Sequence, residues 1–426
     1  LPNELILLLV VFLILLFLRT PIAFAMGISA LVFILVGDIK ITILSQRLAS
    51  GLNSFPLLAI PLYIMAGQLM NTSGISERIF QFAASLVGHV RGGLGHVNIL
   101  ASMIFAGVSG TAVSDAASLG AVEMKAMKDA GYDPGFSAAV TAASSAVGPI
   151  IPPSVVLIIY GVMGEVSVGS LFLGGVIPGI IIGFVLMGLV YIIAVKRGYP
   201  SQKKTTIRQK GIALQRAFLS LLMPLIILGG IVLGITTPTE AGVLAVLYAI
   251  FLGVMYKEIN WKTFLVSMRE GLTINASIML IVSVAAIFSW VLVSQNVPRI
   301  VADLILSLTS NPIIVLLLVN LFLLILGMFF DTMAILIICT PIFIPLMNMI
   351  GVDLVHFGVI MVFNLMIGII TPPMGICLYI VSDVGEVPVA TVIRESLPFI
   401  IPLLIALLII TFFPQTVLWL PELVFN

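Results

Sequence analysis

Residues 144–154 read Ser144-Ser145-Ala146-Val147-Gly148-Pro149-Ile150-Ile151-Pro152-Pro153-Ser154. Residues 368–375 read Gly368-Ile369-Ile370-Thr371-Pro372-Pro373-Met374-Gly375. Each stretch sets a Pro-Pro pair, preceded by Gly and flanked by Ser or Thr, inside a long apolar run. Proline has no N–H, and its ring clashes with the preceding turn, so a helix carrying such a pair breaks and frees carbonyls. In a bilayer, freed backbone survives only where other protein or a water-filled cavity satisfies it. The two breaks therefore point to helices that open onto a polar site within a membrane.

The rest of the chain fits that reading. Of 426 residues, 61% are hydrophobic and 9% charged, and the mean hydropathy is +1.28. A soluble domain carries about 25% charged residues. A soluble enzyme, a nucleic-acid binder and a disordered scaffold are thus excluded for the whole chain. Long unbroken apolar runs, in place of ~10-residue alternating segments, exclude a β-barrel. The expected fold class is an all-α polytopic membrane protein. The cysteines, Cys339 and Cys377, sit in apolar runs and read as small buried hydrophobes. The histidines, His89, His96 and His356, read as loop or interface residues. No GxxxxGK[ST] motif is present, so no P-loop nucleotide hydrolysis is expected. The first apolar run, 5–18, lacks a basic leader and a small-residue cleavage site, and does not read as a cleavable signal peptide.

Working outward from the breaks, the chain reads as two copies of one unit. At an offset of 220, Gly51-Leu52 matches Gly271-Leu272, Gly107 matches Gly327, Gly131 and Asp133 match Gly351 and Asp353, Gly148 matches Gly368, and Pro152-Pro153 matches Pro372-Pro373. Gly164-Glu165-Val166 matches Gly385-Glu386-Val387, and Thr20-Pro21 matches Thr237-Pro238. The first repeat is placed at 1–195, a basic linker at 196–216 and the second repeat at 217–426. Each repeat contains an interrupted apolar segment (95–129 and 312–349) read as a re-entrant hairpin. The second segment is broken at Gly327–Thr332 and by Pro341 and Pro345. Each hairpin precedes a Pro-Pro-broken helix (136–163 and 356–382). Segments 39–53 and 257–272 read as helices lying on the membrane surface.

Charge position fixes an orientation. With re-entrant hairpins, each copy crosses five times, and an odd number inverts the second copy. The linker carries Lys196, Arg197, Lys203, Lys204, Arg208, Lys210 and Arg216 and no acid. The positive-inside rule makes it cytoplasmic, with both termini periplasmic. The same topology puts Arg19, Arg78, Arg91, Lys125, Lys128, Lys257, Lys262, Arg269 and Arg394 inside, and only Lys40, Arg47 and Arg299 outside. That is a 16-to-3 division of the 19 basic residues.

Inverted repeats with paired broken helices point to a secondary transporter whose site lies at the repeat interface. The first hairpin tip reads Gly107-Val108-Ser109-Gly110-Thr111-Ala112-Val113-Ser114-Asp115, and the second Gly327-Met328-Phe329-Phe330-Asp331-Thr332. An acid inside an apolar run is costly without a partner or a function. Asp115 and Asp331 are therefore candidate site residues, with helix capping as the plainer alternative. Carbonyls freed at the Pro-Pro breaks, beside Ser and Thr hydroxyls, make hard oxygen ligands of the kind that hold Na⁺ in broken-helix carriers, while half-helix N-termini face an anionic group. The plainer alternative is a kink with no ion. Glu165, Glu240 and Glu386 read as solvated or capping groups. A membrane-embedded enzyme needs a catalytic pair, and no HExxH exists, so the chain is not expected to be an enzyme.

These motifs together resemble the large membrane subunit of tripartite ATP-independent periplasmic (TRAP) transporters, the DctM-like family. The resemblance rests on the 107–117 tip with Gly131-Tyr132-Asp133, on Ala142–Ser145 with Gly148–Ser154, and on Gly368–Pro373. It implies an elevator-type carrier of the ion transporter superfamily in the inner membrane. Such a subunit pairs with a small four-helix membrane subunit and a periplasmic solute-binding protein. It imports a carboxylate-bearing solute, such as a C4-dicarboxylate or sialic acid, driven by Na⁺, with no organic cofactor. Carried over by motif, Ser109, Gly110, Thr111, Asp115, Ser154 and Asp331 line or support the substrate site. One Na⁺ site falls near Ser109, Gly148 and Pro152, and another near Gly327, Thr332, Gly368 and Thr371. Related members often have Ser where this chain has Thr111, which keeps the hydroxyl. A stand-alone ion-coupled organic anion antiporter or exporter of the same superfamily is the alternative.

Overall fold

The computed structural model describes residues 3–425, the side chains of Val108 and Ser109 excepted. α-Helices and one 3-10 turn (Phe55–Leu58) make up the regular structure, with no strand among the described residues. Seven helices are long and apolar enough to cross a membrane, from Val168–Arg197 and Ile207–Val232 through Trp261–Ser294 to Val389–Phe412. Their exposed faces carry large apolar side chains such as Phe184, Leu225, Phe251 and Ile401, as lipid contact requires.

A frame forms around Trp261–Ser294. At 34 residues this helix is about 50 Å long, well beyond the ~30 Å hydrocarbon core. It packs on Ile22–Val36, Thr42–Leu52 and Ala59–Asn71, while Ala59–Asn71 also packs on Pro238–Met255. The expected separate surface helix at 257–272 does not exist, because no proline or turn residue stops the helix between 261 and 294. Gly271 lets it pass close under Met65. In the first half the matching stretch does break. Thr42–Leu52 meets the next helix at 62°, where Ser54 is extended and Pro56 opens the 3-10 turn.

Two amphipathic helices, Ile75–Val87 and Val297–Leu308, lead into the two hairpin segments. The sequence reading passed over both, because only one face of each is apolar. Each starts after a left-handed residue, Gly74 at φ 66° and Asn296 at φ 56°. The linker also differs from its expected span. The chain leaves a helix at Arg197 and re-enters one at Ile207, so Arg208, Lys210 and Arg216 lie on a helix. A capping box of Thr206 and Gln209 starts that helix. The intervening strap is tied down by Gln202 N–H to the Gly88 carbonyl (2.9 Å) and by the Tyr132 hydroxyl to the Pro200 carbonyl (2.9 Å). Arg197 pairs with Glu395 at 2.7 Å.

The first hairpin segment is two packed helices, Gly93–Ser109 and Ala112–Asp129. The second is Pro312–Phe329 and Thr332–Met349. Pro341 and Pro345, expected to interrupt this segment, lie inside the continuous helix Thr332–Met349. Bilayer helices tolerate proline when neighbouring groups satisfy the backbone, and this helix packs on Val155–Gly164, Trp261–Ser294 and Leu354–Gly368. The broken helices are Pro134–Ser145 with Val155–Gly164, and Leu354–Gly368 with Ile376–Gly385. Their halves pack reciprocally. Ile376–Gly385 lies on Ala112–Asp129 and Pro134–Ser145, and Val155–Gly164 lies on Thr332–Met349 and Leu354–Gly368. The half-helices end at left-handed Glu165 and Glu386, which act as backbone caps. Glu240 closes a capping box with Thr237. Two histidines differ from expectation. His96 and His356 lie buried within helices, and the His356 ring bonds the Ile410 carbonyl at 2.8 Å.

Candidate functional site

The first tip turns at Gly110, whose φ of 63° places it where glycine is favoured. Thr111 is extended, and its hydroxyl accepts from Ser114 N–H at 3.3 Å, capping Ala112–Asp129. A Cβ on Gly110 would sit 2.9 Å from the Pro153 carbonyl oxygen, and one on Gly107 would lie 3.5 Å from that of Pro152. Glycine at the tip therefore lets it seat directly on the first Pro-Pro break. Asp115, one turn further along, is 2% exposed. Its carboxylate lies against Gly148, where any Cβ would collide with it. The structure thus brings Gly107, Gly110, Asp115, Gly148 and Pro152 into one cluster. The expected Ser109 side chain lies outside the described part.

Ser154 is fully buried. Its hydroxyl donates to the Pro149 carbonyl and accepts from Leu157 N–H at 3.2 Å. It therefore closes the break from within and caps the following half-helix. Both Pro-Pro bonds are cis.

The second cluster is built similarly around different contacts. Gly327 and Gly368 pack backbone to backbone, since a Cβ on Gly368 would fall 2.6 Å from the Gly327 Cα. Met374 N–H donates to the Met328 carbonyl at 3.3 Å, joining break to tip. Asp331 caps Thr332–Met349, accepting from Met333 N–H (2.9 Å) and Ala334 N–H (3.3 Å). It also lines a cavity of about 450 Å³ with Gly327, Phe330, Gly375, Ile376 and Tyr379. Ile376–Gly385 begins on this cavity without a side-chain cap, presenting the positive end of a helix dipole. Thr332 is buried, and the Thr371 hydroxyl donates to the Ile367 carbonyl at 2.6 Å.

The clusters meet at the start of Ile376–Gly385. Ile376 lines the second cavity, while Cys377, next in the chain, is fully buried on a half-helix that packs on Ala112–Asp129 and Pro134–Ser145. Cys377, read from sequence as a small buried hydrophobe, is buried and also belongs to this junction.

Sequence reasoning missed a set of polar groups that fix the clusters. Asn71 donates to the Ser114 hydroxyl (2.9 Å) and accepts from Ser118 (3.1 Å), tying the start of Ala112–Asp129 to Ala59–Asn71. Buried Asn98 donates to Thr141 (2.7 Å) and accepts from Ser144 (2.7 Å), and Ser102 donates to Ser144 (3.0 Å). In the second half, Asn364 donates to the Asn320 side chain (3.0 Å) and Asn320 to Thr411 (3.0 Å). In both halves an Asn on the hairpin's first arm is tied to the first half of the broken helix. The signal was available, because a polar residue in an apolar run is itself a flag.

The donor set suits a hard cation. Pro152 cannot donate to the Gly148 carbonyl, nor Pro372 to that of Gly368, which accepts instead from Thr371 N–H at 3.0 Å. Some freed carbonyls are recaptured: Pro149 by Ser154, Ile369 by Cys377 N–H at 3.1 Å. Each carbonyl has a second lone pair, so carbonyl and hydroxyl oxygens remain competent ligands beside a buried carboxylate.

Two tip-and-break clusters, set among helices long and apolar enough to span a bilayer, define a polytopic helical carrier of the broken-helix class. Sequence comparison narrows this. The family of "Tripartite ATP-independent periplasmic transporter, DctM component" matches residues 9–416, and the chain belongs to it. It is 46% identical over 411 residues to the sialic acid TRAP transporter large permease protein SiaM of Vibrio cholerae, covering 96% of each chain. It is 43% identical to the sialic acid TRAP transporter permease protein SiaT of Haemophilus influenzae, covering 97% of this chain and 68% of that one. It is 36% identical to the C4-dicarboxylate TRAP transporter large permease protein DctM of Pseudomonas aeruginosa, covering 93% and 94%. Its fold is similar to that of the Alcanivorax borkumensis YdaH transporter, with a TM-score of 0.63, 18% identity and coverage of 87% and 88%.

Proposed function

We propose that this chain is the transport subunit for Na⁺-driven import of a carboxylate-bearing solute, of the sialic acid type before the C4-dicarboxylate type. The higher identities to the two sialic acid permeases support that order. The solute is delivered by a periplasmic binding protein, and a small four-helix subunit completes the complex in the bacterial inner membrane, with both termini of this chain periplasmic. The observation that carries the reading is the pair of clusters in which a hairpin tip seats on a Pro-Pro break, one holding the buried Asp115 against Gly148.

The chemistry follows from charge. Asp115 repels a carboxylate solute unless a cation lies between them. Na⁺ held by the break carbonyls and Asp115 therefore comes first and creates the field for the anion. A second Na⁺ falls near Gly327, Thr332, Gly368 and Thr371, and the uncapped start of Ile376–Gly385 aids the solute carboxylate. Hairpins and broken helices move as a block, elevator-fashion, against the frame around Trp261–Ser294. Arg78 and Arg216 share one cavity and Lys125 and Lys128 another, which supports placing each pair on the same membrane face.

The test is uptake of radiolabelled sialic acid into proteoliposomes holding this chain, its small subunit and the loaded binding protein. Uptake is expected with an inward Na⁺ gradient and not with K⁺ in its place. Equal uptake in both, or uptake without the binding protein, removes the reading.

A further inference from the structure

Away from both clusters, a cavity of about 460 Å³ opens between Ile75–Val87, Ile207–Val232 and the turn at Tyr256–Glu258. It is lined by two carboxylates, Glu77 and Glu258, and two guanidiniums, Arg78 and Arg216. These opposite charges do not pair with one another. The two ion pairs among the described residues are Arg197–Glu395 and Arg299–Asp303, both elsewhere. Arg78 is held in place, donating to the Gly74 carbonyl at 2.7 Å and stacking 3.8 Å from the centroid of Tyr256. Glu77 accepts from Gln81 at 3.1 Å. Unpaired opposite charges around one cavity, summing to zero, match a ligand that itself carries both signs.

The depth of the cavity says what kind of ligand. Arg216 is the last charge before the uncharged apolar stretch 217–235, and Tyr256 directly follows the apolar helix Pro238–Met255. The cavity thus sits where both helices pass from apolar to charged, the level of lipid headgroups. Large apolar side chains within a few residues of the lining positions in sequence stand exposed: Phe218 at 50%, Val254 at 63% and Trp261 at 73%. A ligand there has its charged part in the cavity and its apolar part along these side chains.

We infer that this cavity binds the headgroup of a zwitterionic phospholipid of the phosphatidylethanolamine type. The phosphate meets Arg216 and Arg78, since guanidinium donors match phosphate oxygens. The primary ammonium donates to Glu258 and Glu77. A choline headgroup cannot donate those hydrogen bonds, and a glycerol headgroup leaves both carboxylates facing a net anion. The site also has a consequence for the fold. Ile75–Val87 packs on both arms of the first hairpin and on Ile207–Val232, so a lipid seated here braces the approach to the hairpin against the second half.

The experiment titrates the purified full chain in mixed micelles with phosphatidylethanolamine, phosphatidylcholine or phosphatidylglycerol of the same acyl chains, reading the melting temperature. A ligand that binds the folded state raises it in proportion to occupancy. Phosphatidylethanolamine is expected to raise it at the lowest concentration. Arg216→Gln and Glu258→Gln, both at exposed positions, are each expected to raise the half-maximal concentration about tenfold, the effect of one charge-assisted hydrogen bond. Soluble phosphoethanolamine is expected to give no shift at matched concentration; an equal shift would make the ligand a free headgroup compound and overturn the lipid assignment. Equal responses to all three lipids, or an unchanged preference in both variants, would overturn the site.

Discussion

Gly148→Ala is the sharpest perturbation of the first cluster. The added Cβ collides with Asp115 Oδ2, 3.3 Å from Asp115 Cγ and 3.2 Å from the Ser145 carbonyl oxygen. Ser145 ends a helix buried from Gly135 onward, so the backbone is held and the carboxylate gives way. Restoring ordinary contact near 3.5 Å moves it by about 1 Å. Overpacking of one methyl costs about 1–3 kcal/mol, which lowers the melting temperature by a few degrees and leaves the protein folded. Displacement of a positioned group by ~1 Å costs roughly a hundredfold in rate, and the same order is expected for Na⁺-driven uptake. The assay is initial uptake rate against Na⁺ concentration in proteoliposomes, with melting curves on the same preparations. Gly188→Ala is the control. Nothing lies within 4 Å of its Cβ, and replacing an exposed helical glycine stabilises by about 0.5–1 kcal/mol with unchanged uptake. Gly148→Ala with a wild-type rate and Na⁺ midpoint would refute the placement of Asp115 at the ion site.

Other outcomes follow from the same contacts. Asp115→Ala is expected to abolish uptake while the protein still inserts and purifies; Na⁺-driven uptake at the normal rate would remove its role. Gly368→Ala sets a Cβ 2.6 Å from the Gly327 backbone, which yields less readily than a side chain, so its melting temperature should fall further than that of Gly148→Ala; a smaller fall would contradict the close glycine contact. Asp331→Asn keeps the oxygen that accepts from Met333 and Ala334 but removes the charge. Its melting temperature should hold while the solute KM or the Na⁺ midpoint shifts, and both unchanged would make Asp331 a cap only. Asn98→Ala removes two buried bonds, to Thr141 and Ser144, whose hydroxyls keep the Ser137 and Thr141 carbonyls, and should cost about 1–3 kcal/mol, read as a lower melting temperature; an unchanged one would contradict this tie between hairpin and broken helix.

Much of the arrangement was legible because helix breakers have few uses inside an apolar run. Gly107, Gly110, Gly148, Gly327 and Gly368 stood out in sequence; in the structure Gly110, Gly327 and Gly368 are where backbones touch, Gly148 meets the Asp115 carboxylate and Gly107 meets Pro224. Other features were hidden for physical reasons. Ile75–Val87 and Val297–Leu308 are half polar, so a search for continuous hydrophobicity passes them. Pro341 and Pro345 look like breakers, yet a proline can remain within a bilayer helix when tertiary partners satisfy the backbone. Ser154 has the right chemistry for a ligand, and only the fold reveals that its hydroxyl is engaged within the break. Asn98 with Ser144, and Asn320 with Asn364, were readable as polar groups in apolar runs, but their pairing requires knowing which helices touch. The extent of 261–294 was misjudged, since a surface helix and a spanning helix join without any signal when no proline separates them, whereas the short helix read at 39–53 is present as Thr42–Leu52.

In the proposed function the two tip-and-break clusters hold the coupling ions. Equilibrium binding of radioactive Na⁺ to the purified chain tests it most directly. The account predicts saturable binding that K⁺ does not displace at equal concentration, with Gly148→Ala and Gly368→Ala each removing part of the capacity. No saturable Na⁺ binding, or full capacity retained in both variants, would contradict it.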